Sequence, residues 1–361
     1  MPLNIDLLRS LTQTPGIASR EDLVRQLVAR ELAPLVDEIS VDRLGNLTGK
    51  RNGSGGPTIA IAAHIDEIGF VVRHVDDQGF IRLQQVGGFD PRTLVAQRVI
   101  IHLEGRDPLP GVLQPGTKPI HLMKGAEAKD LKLDDFFIDT GLPADQVKES
   151  VSIGDMVTMD RDLQVMGETV VSKAMDDRLG VFVMLESMRA LSKTTATVVA
   201  VATTQEEVGL RGARTSAYDV DADIVIALDV TLAGDIPGNS SDAHVTKLGG
   251  GAGIKVYDSS QLPNPAMNRH LKELAIERGI PFQMEVLPAG GTDAAAYQQA
   301  RSGAFTSTIS IPTRYVHTVN EMAHVGDIQA CIDLLVAFIE AAGTREYGYT
   351  LDADLVTRGS A

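Results

Sequence analysis

Four apolar, β-branched runs constrain this chain more than any other feature of its 361 residues: TIAIA from Thr58, TVVAVATT from Thr197, DIVIA from Asp223 and TSTISIP from Thr306. Runs of this kind read as buried strands of a parallel sheet, covered by helices on both faces. In open α/β sheets, sites form in the crevice beyond the carboxyl ends of such strands. The runs end in, or shortly precede, His64, the pair Glu206-Glu207, Asp229 and His317. A further stretch, SKAMDDRLG, supplies Asp176. Side chains far apart in the chain are thereby expected to converge on one cleft.

A chain of this length exceeds the size at which one core stops growing, so two domains are expected. Its 43% hydrophobic and 22% charged residues are ordinary for a globular protein and supply a core. The net charge of −15 disfavours nucleic acid and suits solubility; its field also favours cationic groups such as free amino termini. A single cysteine, Cys331, excludes an intrachain disulfide and a cysteine-based metal site. It stands in the apolar helical stretch CIDLLVAFIEAA and reads as a packed core residue. The N-terminal stretch lacks the pattern of a signal peptide, and no run approaches about 18 apolar residues, so no membrane partner is expected. The expected compartment is the cytoplasm.

Two helices are expected at the start, Leu3 to Leu11 and a second opening at Ser19 with Leu23, Leu27 and Val28 on one face. Thr14-Pro15-Gly16 breaks between them. Strands follow near Glu38–Val41 and Leu47–Lys50. From Gly69 to Gly167 short alternating segments separated by Gly, Asp and Pro turns predict a small barrel or sandwich. Helix–strand alternation then resumes, with helices expected over 177–191, 265–279, 293–301 and 327–343. The pattern predicts a discontinuous α/β domain, 1–68 plus 168–361, interrupted by a β-rich insert, 69–167.

Imidazole nitrogen and carboxylate oxygen hold divalent metals. Two metals about 3.5–4 Å apart need a bridging carboxylate and terminal ligands for each. The six residues supply that inventory with one carboxylate left over as a base. Adjacent residues at a strand end project differently, so one of Glu206-Glu207 can bind metal while its neighbour faces the water. Asp176-Asp177 is expected to divide its work, with Asp176 at the metals and Asp177 at the helix start. Asp66, two residues after His64, fits a carboxylate that orients the metal site. The other histidines read as ordinary core or surface residues, with His121 in KPIHLM drawing some interest. Gly249–Gly253 precedes a strand rather than a helix, so the dinucleotide pattern fails. Gly290-Gly291-Thr292-Asp293 leads into a helix and offers backbone N–H groups to a substrate.

On AAHIDEIG, GGFD, KPIHLM, SKAMDDRLG, QEEVGLRGA, GAGIKVYD, GGTDAAA and IPTRYVH, the chain resembles the M42 family of metallo-aminopeptidases, the glutamyl/leucyl and tetrahedral (TET) group, essentially end to end. The resemblance implies a phosphopeptidase/aminopeptidase-like three-layer α/β catalytic domain with an inserted all-β, barrel-like dimerisation domain. It implies two divalent metal ions per subunit, Zn or Co, held by His64 and Asp229 on one side and Glu207 and His317 on the other. Asp176 would bridge, Glu206 would be the general base acting on a metal-bridging water, and Asp66 would orient the site. It further implies removal of N-terminal residues from peptides with free N-termini, and a homo-oligomer, a dodecamer built from dimers. Gln114–Thr117 is longer than the family's turn before KPIHLM.

A related di-metal carboxypeptidase or N-deacylase uses a similar ligand set, but inserts its extra domain later, between the last acidic ligand and the final His. Here the long gap falls between His64 and Asp176. A glycosidase would need two carboxylates across a sugar, which leaves the histidines unexplained. A non-catalytic scaffold would lack a ligand or the base, and none is missing.

Overall fold

The computed structural model describes residues 3–117 and 130–351. KPIHLM, with His121, lies outside them. The four apolar runs are strands β3 (Thr58–His64), β12 (Thr197–Thr203), β13 (Ile224–Leu232) and β16 (Phe305–Arg314). They lie side by side and parallel in the order β12-β3-β13-β16, at the centre of an eleven-stranded mixed sheet. One flank is β2 (Leu47–Arg51) and β1 (Glu38–Val41). The other is β17 (Glu321–His324), β11 (Thr169–Ser172) and β10 (Gln164–Met166). Strands β14 (Ala252–Tyr257) and β15 (Phe282–Val286) attach to β16.

The two-residue period of β3 sorts its side chains into two layers. Ile59, Ile61 and Ala63 pack into the larger core with helices α1 (Ile5–Gln13), α2 (Asp22–Leu32), α4 (Met175–Ala190), α6 (Pro265–Arg278) and α8 (Val325–Ala341). Ala60 and Ala62 face the opposite layer, where α5 (Arg211–Val220) and α7 (Ala294–Gln299) bring Ala213, Ala217 and Tyr297. Small residues on that side let the helices approach closely. The fold is therefore three-layered, helices over sheet over helices. Cys331 is buried in the larger core, its Sγ 3.5 Å from the Ser310 carbonyl.

Between β3 and β10, six strands close a separate barrel in the order β4-β5-β8-β7-β6-β9. They are β4 (Gly69–Val75), β5 (Ile81–Val86), β6 (Gln97–His102), β7 (Leu109–Pro115), β8 (Phe136–Asp139) and β9 (Met156–Met159), with helix α3 (Ala144–Ser150) between the last two. Phe70, Ile81, Val99, Leu113, Phe136 and Val157 form a core of its own. Closure leaves no unpaired sheet edge. Among the described residues no helix is long and apolar enough to cross a membrane.

Several sequence expectations shift. The first helix is Ile5–Gln13, capped by Asn4, whose side chain accepts from Leu7 N. The second begins at Asp22, not Ser19, and buries Val24, Val28 and Leu32, while Leu23 is 55% exposed. Of the expected face, Val28 is buried and Leu27 packs against the core, while Leu23 turns outward because the helix docks through the row Val24, Val28 and Leu32. Helices α3 and α5 were not anticipated. The α5 segment, RGARTSAYDV, shows only two small apolar residues on its buried face, too weak a stripe to announce a helix.

Candidate active site

All four central strands deliver a site residue at the same sheet edge. His64 is the last residue of β3 and pairs across the parallel ladder with Thr203, the last of β12. Glu206 and Glu207 follow in the next turn. His317 lies three residues beyond β16. Asp229 is not at the end of its strand but within β13, which continues to Leu232. Asp176 comes from outside this set, at the junction of β11 and α4.

That junction does two jobs. Asp176 and Asp177 have non-helical backbone angles, so the regular helix starts after them. Asp177 Oδ1 accepts Gly180 N at 2.9 Å, while Oδ2 accepts His64 N at 3.2 Å. It caps the helix and ties it to the end of β3. A Cβ at Gly180 would lie 2.4 Å from Asp177 Oδ1, so the cap requires glycine there. Asp176 is left free to face the cleft. Its Oδ1 lies 3.1 Å from His64 Nε2, and its Oδ2 lies 3.3 Å from His317 Nε2.

The remaining contacts are short-range. His317 Nε2 stands 3.4 Å from Glu207 Oε1, and His64 Nε2 stands 3.9 Å from Glu206 Oε2. His64 Nδ1 faces the Asp66 carbonyl at 3.0 Å, which fixes the ring so that Nε2 points into the cleft. Fully buried Asp66 accepts Glu206 N on Oδ1 and Glu207 N on Oδ2, at 3.0 and 3.2 Å. Ala174, Gln205 and His317 are non-glycine residues with φ of 54°, 56° and 63°. Left-handed backbone at three places in one site is strain of the kind that surrounding structure holds for function.

Glu321 is a residue the sequence reading missed. It is buried, its Oε1 accepts His317 N at 2.7 Å, and its Oε2 accepts Asp176 N at 3.1 Å. One carboxylate thus clamps the backbones of two cleft residues from different segments, the start of α4 and the turn after β16. The only signal was a glutamate four residues after His317, which has no meaning until the turn between β16 and β17 folds back. Asp293, read in the sequence only as part of a turn offering N–H groups, is buried at the start of α7, bonded to the Thr203 hydroxyl, with Oδ1 unpartnered. Of the other described histidines, His102 meets Thr158 Oγ1 and His270 meets Tyr347 Oη, whereas His244 keeps a buried Nε2 without a partner.

Electrostatics define what the cleft wants. Burial pushes the Glu206 and Asp229 carboxyls well above their ordinary range, and neighbouring acids add to it. Burial and the nearby Asp176 charge push Glu321 up to about 8. Burial works against a charged His317, yet the close Asp176 and Glu207 carboxylates prevail and push it up to about 11. Glu207 Oε1 is buried without a well-formed hydrogen bond. This is a pocket of desolvated carboxylates whose nearest counter-charges are two imidazoles, a donor set of hard oxygens and nitrogens short of cations. Ligand-capable atoms of His64, Asp176 and Glu207 lie within 4.8 Å of one another, as do those of His64, Asp177 and Asp229. Because both oxygens of Asp177 already accept backbone N–H groups, Asp229 is the free acid of the second group. The residues fit divalent metal ions.

The acids and imidazoles line one end of a cleft of about 390 Å³. A three-layer α/β sheet, an inserted barrel and a metal-suited cleft at the strand ends define a peptide hydrolase of the aminopeptidase class. The family model described as M42 glutamyl aminopeptidase matches residues 45–334, and the chain belongs to that family. The lysyl aminopeptidase of Pyrococcus furiosus is 34% identical, the match covering 93% of this chain and 96% of that protein. An aminopeptidase from the archaeon Desulfurococcus kamchatkensis superposes with a TM-score of 0.90 at 39% identity, covering 94% of each chain. The TET1 peptidase of Pyrococcus horikoshii, described as assembling into a tetrahedron or a large octahedral shell, superposes with a TM-score of 0.82 at 31% identity. That match covers 93% of this chain and 98% of the other.

Proposed function

We propose that this aminopeptidase removes N-terminal residues from peptides with two divalent cations in the cleft and Glu206 as general base. One observation carries the reading: Asp176 presents one oxygen to each imidazole, at 3.1 and 3.3 Å. A carboxylate so placed is what two cations sharing a ligand require. His64 and Asp229 would hold one cation, Glu207 and His317 the other, with Zn or Co as the ions. When bound, the cations supply Lewis-acid polarisation of the scissile carbonyl and raise the acidity of water.

Glu206 takes a proton from the attacking water and returns it to the leaving amine. A buried carboxyl with a raised pKa is suited to holding that proton in between. Asp66 sets the direction of Glu206 and Glu207 through their backbone N–H groups. The substrate's free α-amino group, being cationic, is drawn to the acidic end of the cleft, which accounts for action at N-termini. In this reading 1–68 with 168–361 is the catalytic unit, and 69–167 serves dimerisation. The dimers build a homo-oligomer, a dodecamer, acting on cytoplasmic peptides. The separately closed barrel and the shell-forming TET1 relative support that part.

The test is Glu206→Gln assayed on free and N-acetylated peptides, with metal content measured in parallel. Full metal content with turnover reduced by about 10²–10⁴ is expected. Near wild-type turnover removes Glu206 from the role, and cleavage of the acetylated set removes the amine-binding step. Light scattering of the wild type is expected to give the mass of twelve chains.

A further inference from the structure

The cleft is lined by two chemically distinct sets of residues. Beyond the acids and imidazoles, its wall is built from Thr231, Leu232, Leu287, Ala289 and Val316, with Gly290 and Gly291 at the turn before α7. Among the described residues of this second set, none carries a charge. Thr231, the one hydroxyl in the set, donates to Glu285 Oε1 at 2.7 Å. Glu285 is fully buried, so that hydroxyl is engaged inside the wall rather than offered to the cleft. The nearest charges behind the wall close on one another. Lys255 Nζ bonds Glu285 directly and has Asp258 Oδ2 at 3.9 Å, all three being buried. Arg314 is likewise occupied, paired to Asp235 at 2.6 Å.

We infer that this wall of the cleft takes an apolar, uncharged N-terminal side chain, of the leucine or methionine type, and rejects acidic and basic ones. The inference rests on the proposed reading, in which the substrate amine sits at the acidic end and the first side chain falls on the neighbouring wall. An aliphatic side chain gains from burial against Leu232, Leu287 and Val316, at about 25 cal/mol per Å² removed from water. A carboxylate or ammonium group placed there loses its hydration with no opposite charge to receive it. Selectivity for a glutamyl or lysyl residue needs that opposite charge, and the described residues of the wall do not provide it. Gly291 packs tightly here, since a Cβ on it would stand 2.6 Å from Ser260 Oγ. Leu232 is 49% exposed, so a polar replacement there is tolerated by the fold.

The experiment uses the full-length protein loaded with Zn or Co and a series of tripeptides X-Ala-Ala, X being Leu, Met, Glu or Lys, with N-acetylated twins. We expect kcat/KM for Leu and Met to exceed that for Glu and Lys by about tenfold or more. Calorimetric binding of the product amino acids is expected to follow the same order. Leu232→Arg is expected to raise the Glu-to-Leu ratio of kcat/KM by about tenfold. Free peptides cleaved with Glu or Lys preferred overturn the inference alone. An unchanged ratio in Leu232→Arg removes Leu232 from the wall that meets the side chain and overturns it too. Acetylated twins cleaved as well as the free peptides, or no cleavage of any peptide by loaded protein, overturns the underlying reading together with it.

Discussion

Asp66 holds Glu206 by its backbone: the fully buried carboxylate accepts Glu206 N on Oδ1 at 3.0 Å and, with its other oxygen, Glu207 N at 3.2 Å. The same carboxylate approaches His64 Nδ1 at 3.5 Å. Three cleft residues from two strands are therefore referenced to one acid. Asp66→Asn replaces one acceptor by an N–H donor facing another N–H donor. We expect a loss of about 1–3 kcal/mol in stability from the unsatisfied pair. Turnover is expected to fall about 10–100-fold, the usual effect of removing a group that orients metal ligands. Thermal unfolding and kcat measured on one preparation check both.

Glu321→Gln addresses the clamp on His317 and Asp176. The amide retains one acceptor, so one of the two backbone N–H groups loses its partner. Metal affinity is expected to weaken by about 10–100-fold while the fold survives. Competition with a graded series of chelators reads this directly; unchanged affinity would show that the clamp is dispensable.

Removing the metal leaves the cleft carboxylates desolvated without cations. Chelated protein is expected to unfold at a lower temperature than protein with excess Zn or Co, since ligand binding to the native state stabilises it by mass action. Protons compete for the same carboxylate and imidazole atoms, and a ligand binds metal only when deprotonated. The sign follows: the metal-induced rise in Tm grows as pH increases from 6 to 8. A rise that is flat or shrinks over that range would contradict the ligand set.

Gly180→Ala tests the junction that presents Asp176. The added methyl would stand 2.4 Å from Asp177 Oδ1, forcing the cap to move. Overpacking of this kind costs about 1–3 kcal/mol. Because Asp177 also holds His64 N, we expect the lower Tm to be accompanied by weaker metal retention, measured by metal analysis after dialysis.

The sequence by itself determined the framework. Apolar runs such as TIAIA and DIVIA are legible as parallel strands because a strand covered on both faces must be apolar at every position. The barrel was legible from alternation and turn residues, and Asp177 as a helix cap from its place before an apolar stretch. His64, Glu206, Glu207, Asp229 and His317 were legible as a set because strand ends in such sheets share one edge, and Asp176 from the SKAMDDRLG stretch joined them by its chemistry. Tertiary structure alone decided the rest. Glu321 and Asp293 acquire meaning only when β17 and α7 fold against the cleft, and no local pattern marks such contacts. The buried face of α2 was settled by what it docks on, which keeps Leu27 and Val28 of the expected stripe but turns Leu23 outward in favour of Val24. Gly212, where a Cβ would meet Thr204 O at 2.2 Å, lets the start of α5 pack against the end of β12. The neutral wall is likewise a tertiary fact, since Lys255, Glu285 and Asp258 look like free charges in the chain and become mutual partners only once buried. Local sequence encodes periodicity and end signals, whereas direction, pairing and enclosure depend on residues distant in the chain, and these set the chemistry of the cleft.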